Sequence, residues 1–220
     1  MKPFQNRIEA GRLLATKLAD FASREDVLVL ALPRGGVPVG SEIAKALHAE
    51  LDVLMVRKLG VPSQPELAMG AIAAGGVRIL DREIVRALGI TPTEIESAMN
   101  AETRLLESRE ALYRAGRPAP SIQGRTVILA DDGMATGSTM RAAIAAVNKQ
   151  RPGNLIVAVP VAALSTVQDL KTEGQEVVCL HALEPYGAVG AWYEDFSQIS
   201  DAEVIQLLES HQQHRRVTPA

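Results

Sequence analysis

Short, continuous apolar runs alternate with helix-like segments along most of this chain, and few folds are compatible with that alternation. The runs predict strands at residues 27–32, 51–56, 126–130, 155–159 and 177–180. Apolar residues at helical spacing predict helices at 6–21, 38–49, 138–148, 163–172 and 201–209. Strands that are apolar throughout belong to sheets covered on both faces, and a helix between consecutive strands makes their pairing parallel. We therefore predict an α/β fold with an open, mostly parallel sheet flanked by helices.

The middle of the chain carries two further predicted helices, at 83–88 and 92–115. The second begins with a capping-box pattern, because Glu94 lies three residues after Thr91. These helices interrupt the alternation of strands and helices, so we interpret residues 82–116 as a helical insertion.

Composition limits the classes of protein to which the chain can belong. With 220 residues, 47% of them hydrophobic, the chain can bury one sizeable core, and we predict a single domain over 1–220. A formal net charge of −3 argues against a general nucleic-acid binder. The sequence has no secretory h-region near residue 1 and no apolar run of about 18 residues, so we expect a cytoplasmic protein. The polar end at 211–220 is predicted to be a frayed tail.

One segment combines a buried strand, two carboxylates, a loop of mostly small residues and the start of a helix. The carboxylates are Asp131 and Asp132. The residues that follow them are Gly133, Met134, Ala135, Thr136, Gly137, Ser138 and Thr139. Small residues let backbone amides approach an anion, and the helix start adds unpaired donors.

The two carboxylates call for a different partner, because they would repel a phosphate. Sugar hydroxyls suit them, directly or through Mg²⁺. A Walker loop and a dinucleotide-binding glycine motif are both absent from the sequence. The alternative is that Asp131 and Asp132 only cap a helix. The combination of the acids with the loop favours a site for a phosphorylated ribose.

This segment resembles the ribose-phosphate loop of the type I phosphoribosyltransferases. The resemblance implies that Asp131 and Asp132 hold the ribose hydroxyls of phosphoribosyl pyrophosphate (PRPP) and Mg²⁺, directly or through water. It also implies that the loop as far as Thr139 holds the 5-phosphate. The sequence departs from the family pattern at Gly133, where an aliphatic residue is usual. It departs again at Ala135, where members acting on 6-oxopurines have an acid that can transfer a proton.

A second glycine-containing loop, at the end of the first predicted strand, resembles the pyrophosphate loop of the same family. Gly35 and Gly36 permit close backbone approach to an oxyanion, and Arg34 can pair with phosphate oxygens. The resemblance implies a non-proline cis peptide between Pro33 and Arg34. The alternative is an ordinary turn with a solvated arginine.

The next segment, 57–80, resembles the mobile loop and hairpin that close over PRPP in the family. Arg57 and Lys58 are placed at the end of the second predicted strand, where they can reach the pyrophosphate. Two apolar runs around the glycine pair at 75–76 predict the hairpin. The alternative for the two cations is a solvated strand end.

An aromatic cluster near the carboxyl end falls in 181–200, where the family has a variable hood over the acceptor. Tyr186, Trp192 and Tyr193 are candidates for stacking on a base. The alternative, that these rings fill a small satellite core, remains open at this stage.

The resemblance implies an enzyme that transfers the phosphoribosyl group of PRPP to a nitrogenous acceptor and releases pyrophosphate, with Mg²⁺ as cofactor and a homodimer as the assembly. The catalytic candidates are Arg34, Lys58, Asp131 and Asp132. Two alternatives remain: a non-catalytic sensor of PRPP or a nucleotide on the same fold, and a different sugar-phosphate enzyme that shares only the loop. The acceptor, whether purine, pyrimidine or amine, is left open.

Overall fold

The computed structural model describes residues 2–74 and 76–217, with side chains described except at 65, 66 and 214–217. The strands are β1 (Val27–Ala31), β2 (Glu50–Val53), β3 (Val56–Val61), β4 (Gln64–Ala73), β5 (Val77–Leu80), β6 (Thr126–Ala130), β7 (Asn154–Ala163) and β8 (Glu176–Leu183). The α-helices are α1 (Arg7–Thr16), α2 (Gly36–Leu47), α3 (Arg82–Ala87), α4 (Pro92–Arg114), α5 (Ser138–Asn148), α6 (Leu164–Thr172) and α7 (Asp201–Val217).

The main sheet has five strands in the order β2-β1-β6-β7-β8, and every pairing is parallel. Each residue of β1 and of β6 is buried. Because successive side chains of a strand point to opposite faces, β1 contributes Val29 to one hydrophobic cluster and Leu30 to another. The first cluster includes residues of α1, α2, α4 and α7, and the second includes residues of α5 and α6. The predicted parallel sheet with helices on both faces is confirmed.

A separate three-stranded antiparallel sheet, in the order β3-β4-β5, corrects two predictions. The apolar run at 51–56 is not one strand, because β2 ends at Val53 and Val56 begins β3 of the other sheet. The loop expected within 57–80 is short, since β4 begins at Gln64 and pairs directly with β3. An apolar run marks a buried strand but carries no signal for the point at which the chain leaves one sheet for another.

The predicted hairpin is present. Ala73 of β4 pairs with Val77 of β5 in antiparallel register. Of the predicted turn, Gly76 has φ of +74°, whereas Gly75 lies outside the described residues. A positive φ at this point is a conformation that glycine adopts without steric cost.

The helical insertion is built into the main core. The predicted capping box is present, because Thr91 and Glu94 each accept a hydrogen bond from the other's backbone N–H. Met99, Leu106 and Tyr113 are seven residues apart, so they share one face of α4, and all three are buried in the cluster that also contains α7 residues.

Both ends of the chain differ from prediction. The first helix ends at Thr16 rather than at residue 21, and a short 3₁₀ helix follows at Ala19–Phe21. The predicted frayed tail is helical as far as Val217, while 218–220 lie outside the described residues. Within this extension His211 is buried, with its Nε2 atom 2.8 Å from the carbonyl oxygen of Ala49, so the start of the predicted tail packs against the fold. Among the described residues, no helix has the length and apolar character needed to cross a membrane.

Candidate functional site

The loops that follow β1 and β6 lie against each other, because these strands are neighbours in a parallel sheet. A Cβ atom on Gly35 would lie 2.0 Å from Oδ2 of Asp132, and one on Gly36 would lie 2.6 Å from the carbonyl oxygen of Ala130. No side chain fits at either position, so the two glycines are needed for this contact. The peptide bond between Pro33 and Arg34 is cis, as the resemblance implied. The structure therefore brings the two predicted ligand loops together at one edge of the sheet.

The two carboxylates of the β6 loop differ in their partners. Oδ1 of Asp131 accepts the backbone N–H of Asp132 at 2.9 Å, and no cation lies within ion-pair distance of Asp131 in the described chain. Burial, reinforced by the neighbouring charge of Asp132, raises the pKa of Asp131 well above 3.8. Burial also raises the pKa of Asp132, and its hydrogen bond and ion pair with Arg7 oppose that rise. Asp131 thus has no ion pair among the described residues, and the nearby charge of Arg7 and the backbone N–H of Asp132 only partly oppose the rise in its pKa.

Arg7 was not among the sequence-predicted site residues. Its Nε atom donates to Oδ2 of Asp132 at 2.7 Å, and Nη1 donates to the carbonyl oxygen of Ser197 at 2.9 Å. The guanidinium carbon lies 3.9 Å from the ring centroid of Phe196, a cation–π contact. From the other side, the hydroxyl of Tyr193 donates to the carbonyl oxygen of Asp132 at 2.5 Å. Asp132 is therefore held by the start of α1 and by the segment after β8.

The turn between β6 and α5 is partly open to solvent, with Met134 and Gly137 buried. Ala135, Thr136, Ser138 and Thr139 are exposed. Gly137 has φ of +72°, and a Cβ atom there would lie 2.7 Å from a methyl carbon of the Thr166 side chain.

Two neighbouring elements hold the turn in place. The backbone of Met134 bonds to β7 in both directions, at 3.0 and 2.9 Å, and the Thr166 hydroxyl donates to the carbonyl oxygen of Ala135 at 2.6 Å. The amides of residues 135–137 donate no hydrogen bond to any described residue. An exposed turn with unused amides at the start of a helix can bind an anion.

The predicted cations lie on the β1 loop and on β3. Arg34 has Nη1 3.8 Å from Oδ1 of Asp201, the first residue of α7. Arg57 has Nε 2.5 Å from Oε2 of Glu102 on α4. Lys58 is exposed on β3, so both Arg57 and Lys58 lie within a strand rather than at the end of the parallel strand from which they were predicted to project. Their contact with a ligand stays a prediction.

The aromatic residues form the satellite core that was the alternative in the sequence analysis. Tyr186 and Tyr193 are buried in a cluster with Phe4, whose backbone bridges to Tyr193. Trp192 donates from Nε1 to the carbonyl oxygen of Tyr186 at 3.0 Å, and their rings stack at 6.4 Å. Trp192 keeps partial exposure. Stacking of any of the three rings on a base stays a prediction.

This packing explains the glycine that departs from the family pattern. A Cβ atom on Gly133 would lie 2.5 Å from Cγ1 of Val189 and 3.0 Å from the hydroxyl oxygen of Tyr186. The segment after β8 packs so closely against the β6 loop that there is no room for a side chain at Gly133.

Comparison with known proteins gives the family. The model of the phosphoribosyl transferase domain matches residues 5–184. This chain belongs to the phosphoribosyl transferase family. Relatives in two strains of Mycobacterium tuberculosis, among them "Putative phosphoribosyl transferase Rv0571c", are 42% identical to it over 209 residues. The match covers 95% of this chain and 47% of each relative, so the chain spans about half the length of the curated relatives it matches.

Solved structures support the fold of this phosphoribosyl transferase chain. The crystal structure of TT1426 from Thermus thermophilus is 41% identical, with a TM-score of 0.86 over 96% of this chain and 99% of that chain. The structure of AQ2163 from Aquifex aeolicus is 13% identical, with a TM-score of 0.51 over 92% of this chain and 84% of that chain, and shows a similar fold.

The residues present fit Mg²⁺ only as part of a shared site. Among the described residues, no group of three or more His, Cys, Asp or Glu side chains could hold a metal ion. Mg²⁺ prefers six oxygen ligands and keeps several waters, so one or two carboxylates suffice when a substrate supplies further oxygens. Asp131 suits that role, because it makes no ion pair with any described residue, whereas Asp132 is paired with Arg7.

Proposed function

We propose that this phosphoribosyl transferase binds PRPP at the edge formed by the β1 and β6 loops and transfers its phosphoribosyl group to a nitrogenous base or amine, releasing pyrophosphate. The observation that carries the proposal is the turn of residues 135–137, which is exposed at Ala135 and Thr136, whose amides donate to no described residue and which lies next to the acid pair. A phosphate at the turn and a sugar at the acids match the two ends of one ribose phosphate.

Each group of residues has a distinct task in this proposal. The amides of the turn and the hydroxyls of Thr136, Ser138 and Thr139 hold the 5-phosphate. The carboxylate of Asp131 accepts hydrogen bonds from ribose hydroxyls, while Asp132 is oriented by Arg7.

The leaving group lies on the other loop. The backbone at Gly35 and Gly36 and the guanidinium of Arg34 bind the pyrophosphate and stabilise the negative charge that develops as the bond to the sugar breaks. Asp131, together with oxygens of PRPP, would hold Mg²⁺, which would offset part of that charge. The residues thus hold both ends of PRPP rigidly, so that catalysis relies on positioning and electrostatics.

A second candidate function is a PRPP or nucleotide sensor that uses the same site without turnover. Two observations favour it: Ala135 has no proton to transfer, and Arg7 compensates one of the two acids. Both functions need PRPP to bind, so binding alone does not separate them.

Pyrophosphate release separates the two functions. PRPP and Mg²⁺ would be incubated with the protein and with purines, pyrimidines and amines in turn, and the binding of PRPP would be measured by calorimetry. The enzyme predicts release with at least one acceptor and its loss in Asp131→Asn. Tight binding with no release across the panel would support the sensor. No binding of PRPP would overturn both.

A further inference from the structure

The helical insertion brings a second arginine next to Arg34. Nη1 of Arg34 lies 3.8 Å from Oδ1 of Asp201, and Nη1 of Arg109, on α4, lies 3.7 Å from the same oxygen atom. The two guanidinium groups, from the β1 loop and from the insertion, are therefore close neighbours that share one carboxylate oxygen.

We propose that Arg109 is a further anion-binding residue, which contacts the pyrophosphate group of PRPP beside Arg34, and that Asp201 occupies this anion position until the substrate binds. The inference rests on the proposed function, because Arg34 is taken as the pyrophosphate residue of the β1 loop. It assigns a ligand-binding role to residues 82–116, which the sequence indicated only as a helical insertion.

The geometry around Asp201 is that of an anion site. Besides the two nearby arginines, the hydroxyl of Tyr113 donates to the same Oδ1 atom at 2.5 Å, so one hydrogen-bond donor and two cationic groups lie around one anionic oxygen. Tyr113 is buried, and its burial, its hydrogen bond to Asp201 and the charge of Asp201 raise its pKa, which keeps the phenol protonated as a donor. A phosphate oxygen is the other anion that such a set of donors suits.

The ion pairs that Asp201 makes are of the kind that a ligand can replace. Separations of 3.7 and 3.8 Å are too long for hydrogen bonds, so neither guanidinium donates a hydrogen bond to Asp201. The side chains of Arg34, Arg109 and Asp201 keep 29%, 44% and 39% of their exposure, and exposed ion pairs contribute about 0–1 kcal/mol. Within the described chain, Arg109 has no other carboxylate in ion-pair range. A pyrophosphate, with several negative charges, would compete well against one carboxylate.

The position of Arg109 on α4 agrees with this role. Tyr113 follows Arg109 by four residues and Leu106 precedes it by three, so Arg109 borders the buried face of the helix. Arg104, on the same helix, is exposed and has no ion pair among the described residues, which makes it a matched control.

The test compares three ligands on four proteins. Calorimetry would measure the binding of PRPP, inorganic pyrophosphate and ribose 5-phosphate, each with Mg²⁺. The proteins compared are the unmodified chain, Arg109→Gln, Arg109→Lys and Arg104→Gln. Because Arg109→Gln loses a hydrogen bond to a charged group, we expect it to bind PRPP and pyrophosphate about tenfold or more weakly. Ribose 5-phosphate, which lacks the pyrophosphate, should bind unchanged. Arg109→Lys should recover part of the affinity, and Arg104→Gln should match the unmodified chain.

Asp201→Asn tests the second half of the proposal. Asparagine still accepts the Tyr113 hydrogen bond but no longer competes for the arginines, so pyrophosphate should bind several-fold more tightly. Weaker binding would show that Asp201 supports the site rather than occupying it. If the unmodified chain and Arg109→Gln bind PRPP equally, the inference fails and the proposed function stands. If the unmodified chain does not bind PRPP, the proposed function itself fails. Melting temperatures would confirm that each variant is folded.

Discussion

The Nε atom of Arg7 donates a hydrogen bond of 2.7 Å to Oδ2 of Asp132, across 125 residues of chain, and both side chains are buried. Removing one partner of a buried ion pair leaves the other charge uncompensated and costs about 3–5 kcal/mol. We expect Arg7→Met to lower the free energy of unfolding by about that amount. Urea denaturation at pH 7 measures it.

Arg12 provides the control for this prediction, because it lies on the same helix and pairs with Glu42 at 2.8 Å but keeps 71% of its side-chain exposure. We expect Arg12→Met to cost about 1 kcal/mol or less. Adding Asp132→Asn to Arg7→Met removes the stranded charge and should restore much of the loss. Equal losses in the two arginine variants, or no recovery in the double variant, would contradict this interpretation of the pair.

The raised pKa of Asp131 makes the stability of the fold depend on pH. As pH rises from 3.8, the unfolded chain releases this proton first while the folded chain retains it, so ionisation favours the unfolded state until the folded pKa is passed. Asp131→Asn removes this penalty. We therefore expect the variant to melt at the same temperature as the unmodified chain near pH 4, and at a higher temperature as pH rises.

A second aspartate provides a control for the expected direction of the change in melting temperature. Hydrogen bonds from Arg24 and Thr126 lower the pKa of Asp26 to about 2, so its ionised form stabilises the fold. Asp26→Asn should therefore melt at a lower temperature than the unmodified chain near neutral pH, the opposite direction to Asp131→Asn. A lower melting temperature for Asp131→Asn at neutral pH would refute the predicted penalty.

Sequence reasoning succeeded where the signal is local. The bounds of β6 and α5 match prediction, because a run of apolar residues ends at two acids and a small-residue loop precedes the helix. The capping box of Thr91 likewise depends on residues three apart. Such features are decided within one or two turns of chain, and the sequence shows all of their parts.

What sequence reasoning missed depends on contacts between distant segments. Arg7 looks like any polar residue at the start of an amphipathic helix, and nothing near it in the sequence indicates Asp132. The same holds for Arg109 and Arg34, which both lie near Asp201, and for His211, whose partner Ala49 lies just before β2. The partner of a buried polar residue can be identified only when the fold has brought the two residues together.

Gly137 gives a test of the phosphate-binding turn. Alanine in the left-handed conformation costs about 1–2 kcal/mol, and here its Cβ would also lie 2.7 Å from the Thr166 side chain. Gly89 has φ of +62° with nothing within 4 Å of a built Cβ, so Gly89→Ala carries the backbone cost alone. We expect Gly137→Ala to lose more stability than Gly89→Ala and, unlike it, to lose PRPP binding in calorimetry. PRPP binding by Gly137→Ala at full affinity would argue against the turn as the phosphate site.

Gly133 tests whether the segment after β8 is packed against the β6 loop as closely as the structure indicates. A Cβ atom there would lie 2.5 Å from Cγ1 of Val189, and overpacking of this kind costs about 1–3 kcal/mol. We expect Gly133→Ala to lower the urea midpoint. Val189→Ala removes the atom that Gly133→Ala would strike, so the double variant should be more stable than the sum of the two single losses predicts. Strict additivity would mean that the two residues are not in contact, and the explanation for this departure from the family pattern would then be wrong.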